Sequence, residues 1–202
     1  MKSVAMIILL ALALLGALSI GLRWQMMQGQ AIAGSPGESI VQDSTINATT
    51  SASQAALMRG PVAPTIVSDT WLNSAPLSDQ DLRGKVVVVE FWTFDCINCR
   101  NTIPQVRGWY QKYRDRGLVV IGVHSPEFEY EHDVANVENA IKALKITYPV
   151  PLDNDFKTWN AYHVWAWPTI FIVDKQGAIR FTHVGEGAYA QADQTIEQLL
   201  KE

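Results

Sequence analysis

Residues 85–104 read KVVVVEFWTFDCINCRNTIP, and this stretch decides the fold. Val86 to Val89 form a β-branched apolar run that continues through Phe91 and Trp92, with Gly84 before it. Such a run reads as a strand buried on both faces, the kind found in sheets covered by helices. From Cys96 to about Arg114 the pattern changes. Ile103, Val106, Trp109, Tyr110 and Tyr113 recur at helical spacing, and Pro104 inside this helix is expected to kink it. Strand therefore hands over to helix at Cys96-Ile97-Asn98-Cys99.

The rest of the chain repeats the alternation. Leu118 to Val123 is a second buried strand and Asp133 to Leu144 an amphipathic helix. Tyr148 to Leu152 reads as a short strand and Phe156 to Tyr162 as a short helix. Thr169 to Val173 and Ala178 to Val184 flank the turn Asp174-Lys175-Gln176-Gly177 as a hairpin. Tyr189 to Leu200 closes the chain as a helix, and Trp71-Leu72 is a candidate edge strand. This order predicts an α/β fold with a central mixed sheet flanked by helices. Its first two strong strands are parallel, joined by a right-handed crossover, and its site lies where the first of them ends.

The first 63 residues differ. Val4 to Leu22 carries no charge over 19 residues. As a helix this spans roughly 28 Å, the thickness of a bilayer core. Residues 1–24 are read as a transmembrane anchor or a signal segment, with Ala31-Ile32-Ala33 as the site at which a signal would be cleaved. Either reading places the remainder outside the cytoplasm. The anchored form is a single-pass protein of a bacterial inner membrane with its domain on the periplasmic or extracytoplasmic side. Residues 25–63, rich in Ala, Ser, Thr, Gly and Gln, read as a flexible tether, and residues 64–202 as the globular domain. The net charge is −4, from 16 basic and 20 acidic residues, which argues against a general nucleic-acid binder.

Cys96 and Cys99 are the only cysteines. A thiol at a helix N-terminus meets unpaired N–H groups and the positive end of the dipole, and both favour its thiolate, the attacking species. A second thiol one turn later can attack the resulting mixed disulfide. This is the spacing of a redox dithiol. Other readings fit less well. A zinc site needs two more ligands, and His124, His132, His163 and His183 form no ligand pair. Haem attachment needs a histidine where Arg100 stands. A structural disulfide this short closes too small a loop to stabilise much. A thiol peroxidase remains the rival, because Thr93-Phe94-Asp95-Cys96 has the Thr-x-x-Cys spacing of peroxiredoxins, although Val89 replaces their preceding proline. Neither a cofactor nor a metal is expected.

The segment FWTFDCINCRNTIP, the later Trp167-Pro168-Thr169 and Gly185 resemble the thioredoxin-like superfamily, and within it the extracytoplasmic thiol–disulfide oxidoreductases of the TlpA/DipZ type. The resemblance covers about Val67 to Leu200. It implies the thioredoxin-like fold, with Cys96 as nucleophile and Cys99 as resolving thiol. It implies a cis Pro168 that sets the Trp167 backbone opposite the dithiol to receive an extended chain. Glu90 matches the buried acid that assists proton transfer from the resolving cysteine. Trp92 falls under the site, and Trp167, Trp92 and Asp95 are the expected substrate-binding residues. Asp95 stands where the family commonly has Trp; the residues alone read it as a helix cap. The expected partners are protein thiols and disulfides, a membrane electron donor of the CcdA or DsbD type, and the membrane itself through the N-terminal helix. The expected activity is disulfide exchange as a reductant. The acidic run Glu127, Glu129, Glu131 and Asp133 reads as a solvated face.

Overall fold

The computed structural model describes residues 60–202. The expected anchor or signal, and the tether as far as residue 59, lie outside the described residues. Among the described residues no helix is long and apolar enough to cross a membrane.

The strands are β1 (Trp71–Leu72), β2 (Val86–Trp92), β3 (Leu118–His124), β4 (Val150–Pro151), β5 (Thr169–Val173) and β6 (Ile179–Val184). The helices are α1 (Asp79–Leu82), α2 (Ile97–Tyr113), α3 (Val134–Leu144), α4 (Lys157–Ala161) and α5 (Tyr189–Lys201). The main sheet has the order β3-β2-β5-β6. β2 and β3 are parallel, whereas β5 runs antiparallel to both β2 and β6. This is the mixed sheet expected from one crossover followed by one hairpin. β1 and β4 form a separate antiparallel pair.

All seven residues of β2 are buried, because the strand lies inside the sheet with layers on both faces. Successive side chains alternate between those layers. Val86, Val88 and Trp92 join the cluster built with Cys99, Ile103 and Val106 of α2, Ile141 of α3 and Ile196 of α5. Val87, Val89 and Phe91 face the opposite layer of Trp159, Tyr162 and Ile66. By the same parity, Glu90 lies on the α2 side. Helix α2 runs continuously through Pro104. Residues 61–63, assigned to the tether by sequence, hydrogen-bond to the β5–β6 turn: Ala63 N–H donates to Gly177 and Ile179 N–H to Pro61. The packed domain thus begins a few residues before 64.

Ile172 is fully buried in β5 on the α2/α5 side. Ile172→Ala should lower unfolding stability by about 2–5 kcal/mol in denaturant titration, without changing dithiol chemistry per folded molecule.

Candidate active site at the start of helix α2

β2 ends at Trp92, and Thr93-Phe94-Asp95 turns the chain into α2. The N-cap of this helix is Cys96, with extended backbone (φ −74°, ψ 117°). Its sulfur accepts the Cys99 N–H at 3.3 Å, the contact that a Ser or Asp oxygen makes in an ordinary cap. Asp95, expected as the cap, is displaced from that role by one residue. Its exposed carboxylate accepts the Tyr130 hydroxyl instead, and this bond pushes the Tyr130 hydroxyl up to about 12.

Both cysteines are free thiols, Cys96 partly exposed and Cys99 buried. Hydrogen bonding from the Cys99 thiol draws the Cys96 pKa down to about 7, helped by the Cys99 and Asn98 backbone N–H groups and opposed by partial burial and the Glu127 charge. Burial pushes Cys99 far above the ordinary thiol range, and donation to Cys96 adds to this. The two sulfurs are therefore unlike. The outer one is poised as thiolate near neutral pH, and the inner one stays protonated until something takes its proton.

Glu90 lies beneath them, with no exposed surface. Burial raises its carboxyl to about 8, and the Tyr148 hydroxyl, which donates to Oε2 at 3.0 Å, opposes that rise. Its charge also acts on Cys99. Structure thus brings Cys96, Cys99 and Glu90 together. Trp92, expected to meet substrate, is fully buried, and its indole donates to the Gly122 carbonyl at 3.1 Å. It supports the site from below and presents no surface to a docked chain.

The Trp167–Pro168 peptide is cis. Thr169 pairs with Phe91, so Pro168 stands level with the end of β2, from which the chain turns to Cys96. The loop is held on both sides. Gly185 N–H donates to the Pro168 carbonyl at 2.7 Å, and the Trp167 indole donates to the Ser125 carbonyl at 3.0 Å. The Trp167 ring packs on Trp159 at 4.3 Å between centroids.

Two features escaped the sequence. The acidic run is not wholly solvated: Glu131 is buried and accepts backbone N–H groups from Asp95 (3.0 Å), Glu127 (2.7 Å) and Phe128 (2.9 Å). Nothing in the run marks it out from Glu127 or Glu129. Tyr148 is the other, a partner 58 residues from Glu90 that no local pattern reveals. His124 is buried, stacks on Phe94 and is held down to about 4 by desolvation, so it is neutral at physiological pH.

Alkylation of Cys96 should rise with pH around a midpoint near 7, while native Cys99 resists labelling; mass spectrometry of the labelled peptides checks both. Glu90 has a folded pKa raised above its unfolded value. Its stability contribution is therefore complete below the unfolded value near 4.5 and is lost as pH rises through about 8. Glu90→Gln should flatten this loss and leave the variant the more stable protein at alkaline pH, by on the order of a few kcal/mol. Denaturant titrations between acid and alkaline pH test the sign.

Comparison with known proteins agrees with this geometry. Residues 62–182 match the AhpC/TSA family. Protein DipZ of Mycobacterium tuberculosis is 44% identical over 135 residues, which is 65% of this chain but only 19% of DipZ. The chain therefore spans about a fifth of that relative's length. Thiol-disulfide oxidoreductase YkuV of Bacillus subtilis is 26% identical, over 72% of this chain and 97% of YkuV. The crystal structure of a thiol-disulfide isomerase from Corynebacterium glutamicum superposes with a TM-score of 0.63 at 28% identity, covering 69% of this chain and 97% of that one. The chain belongs to the AhpC/TSA family and has a thioredoxin-like α/β fold, with TlpA/DipZ-type proteins among its relatives.

Proposed function

We propose that the chain is a membrane-tethered thiol–disulfide oxidoreductase that reduces disulfides in extracytoplasmic proteins through Cys96 and Cys99. The observation that carries this reading is the asymmetry of the two sulfurs: a partly exposed one at the helix N-terminus, hydrogen-bonded by the N–H and thiol of a buried one behind it. The names of YkuV and of the Corynebacterium isomerase support the same chemistry.

In the reductive direction the Cys96 thiolate attacks one sulfur of a substrate disulfide. The substrate S–S bond breaks, the other sulfur leaves as thiolate, and a mixed disulfide forms. Cys99 then gives its proton to the Glu90 carboxylate and attacks Cys96 Sγ. The second substrate sulfur leaves as thiolate and the protein is left with a Cys96–Cys99 disulfide. Two electrons have passed to the substrate. A dithiol electron donor in the membrane, of the CcdA or DsbD type, restores the reduced pair. The backbone beside cis Pro168 and Trp167 receives the substrate chain, and Asp95 lines the approach. Residues 1–24 hold the domain at the extracytoplasmic face of the bacterial inner membrane.

A thiol peroxidase would use the Thr93 hydroxyl beside the reacting sulfur. Thr93 is fully buried, and its Oγ1 lies 3.4 Å from His124 Nε2, which favours the dithiol reading.

Cys96→Ser should abolish reduction of a protein disulfide. Cys99→Ser should accumulate a mixed disulfide with substrate, visible on non-reducing gels. Turnover retained in Cys96→Ser, or peroxide consumption faster than disulfide reduction, would sink the assignment.

A further inference from the structure

Glu90 on β2 pairs with Gly122 on β3. A β-carbon at Gly122 would come within 2.8 Å of the Tyr148 ring and 3.0 Å of the Trp92 indole nitrogen. A Cβ essentially never approaches that closely, so the bare backbone of Gly122 gives the Tyr148 ring room to lie over β3. Tyr148 is fully buried there, packed edge-on against Tyr110. Its hydroxyl reaches Oε2 of Glu90, while Oε1 is buried with no hydrogen-bond partner. A buried polar atom left alone is costly and calls for a function or a transient partner. The ionisable groups acting on the pair are Cys96 and Cys99 at the head of α2, together with Arg107 further along it, whose charge bears on Tyr148.

The geometry points to Tyr148, seated over Gly122, as the positioning residue that fixes one oxygen of Glu90 and leaves the other free to take the Cys99 proton. This rests on the proposed role of Glu90 as the proton acceptor. A hydroxyl donating to one oxygen stabilises the carboxylate, so it counters burial and keeps the acid able to ionise near neutral pH. It also stops the carboxyl group from rotating, so Oε1 stays unpaired. The step is a proton transfer: the Cys99 S–H bond breaks, the Glu90 O–H bond forms, and the sulfur keeps the electron pair with which it attacks Cys96.

The test isolates that step. Full-chain protein in the dithiol form is mixed with a chromogenic aryl disulfide. The first aryl thiolate is released when Cys96 attacks and the second when Cys99 resolves the adduct, so the second phase is followed against pH. In the native protein its rate should rise and level off around the ionisation of Glu90. Tyr148→Phe, which removes only the hydroxyl, should move this limb up by about one pH unit, making resolution near neutral pH roughly tenfold slower, with recovery in alkali. Gly122→Ala should displace the ring and shift the limb the same way in its folded fraction. Glu90→Gln should lose the plateau altogether. A native limb in Tyr148→Phe beside an altered one in Glu90→Gln overturns the role of Tyr148 and leaves Glu90 as base. A native limb in Glu90→Gln overturns the reading of Glu90 itself. A native limb in Gly122→Ala removes Gly122 from the device.

Discussion

A sulfur atom caps helix α2, and the site depends on that contact. A helix start leaves its first N–H groups without intrahelical partners, and most proteins meet them with an oxygen. Here the acceptor is a thiol sulfur, because Cys96 Sγ receives the Cys99 N–H. The same bond begins the helix, orients the outer sulfur and favours its thiolate. It also fixes where the second sulfur must be, since the donor belongs to the residue that carries it. Cys99, three residues on, falls one turn inward, against Ile103 and Val106 in the core. One exposed and one buried thiol follow from helix geometry and from the direction in which β2 delivers the chain.

Burial that gives the pair its asymmetry also creates a problem. A thiol as far into the core as Cys99 does not ionise unaided near neutral pH, yet in the proposed exchange it must do so to finish. An acid on β2 is the nearest remedy, and the alternation of that strand puts Glu90 on the α2 face between Val88 and Trp92. An isolated carboxylate there would be prohibitively unstable. Desolvation answers this by raising its pKa to about 8, so that it is mostly neutral at physiological pH, with the ionised fraction that the proposed proton transfer requires. The property that makes the acid tolerable in the core, a raised pKa, is the one the proposed proton transfer uses.

What the sequence revealed divides along the range of the interactions. The strand at Val86–Trp92, the helix after Cys96, the hairpin around Asp174–Gly177 and the final amphipathic helix are local patterns, and each emerged within a residue or two of its expected limits. The mixed sheet followed from connection rules. The places of Pro168 and Glu90 came from resemblance, because no periodicity marks them. Side-chain partners were less legible. Asp95 has the composition of a cap but stands one residue early, and only the backbone angle at Cys96 decides between them. Trp92 could have faced a substrate or the core, and strand parity alone did not say how deeply α2 and β3 would cover it.

Glu131 shows most plainly why a composition rule failed. An acidic run is solvated unless some member has donors to compensate its burial. Donors here come from backbone that folds around it: Glu127 and Phe128 from its own turn, and Asp95 from 36 residues away. The Glu131 side chain thereby ties the turn after β3 to the residue just before Cys96. With the turn come Tyr130, on the Asp95 carboxylate, and the Glu127 charge that opposes the Cys96 thiolate. One buried group thus holds the turn whose Glu127 charge bears on the sulfur from outside. The thiolate balance at Cys96 is set from both sides, by helix N–H groups and the inner thiol within and by a turn held in place by Glu131 without.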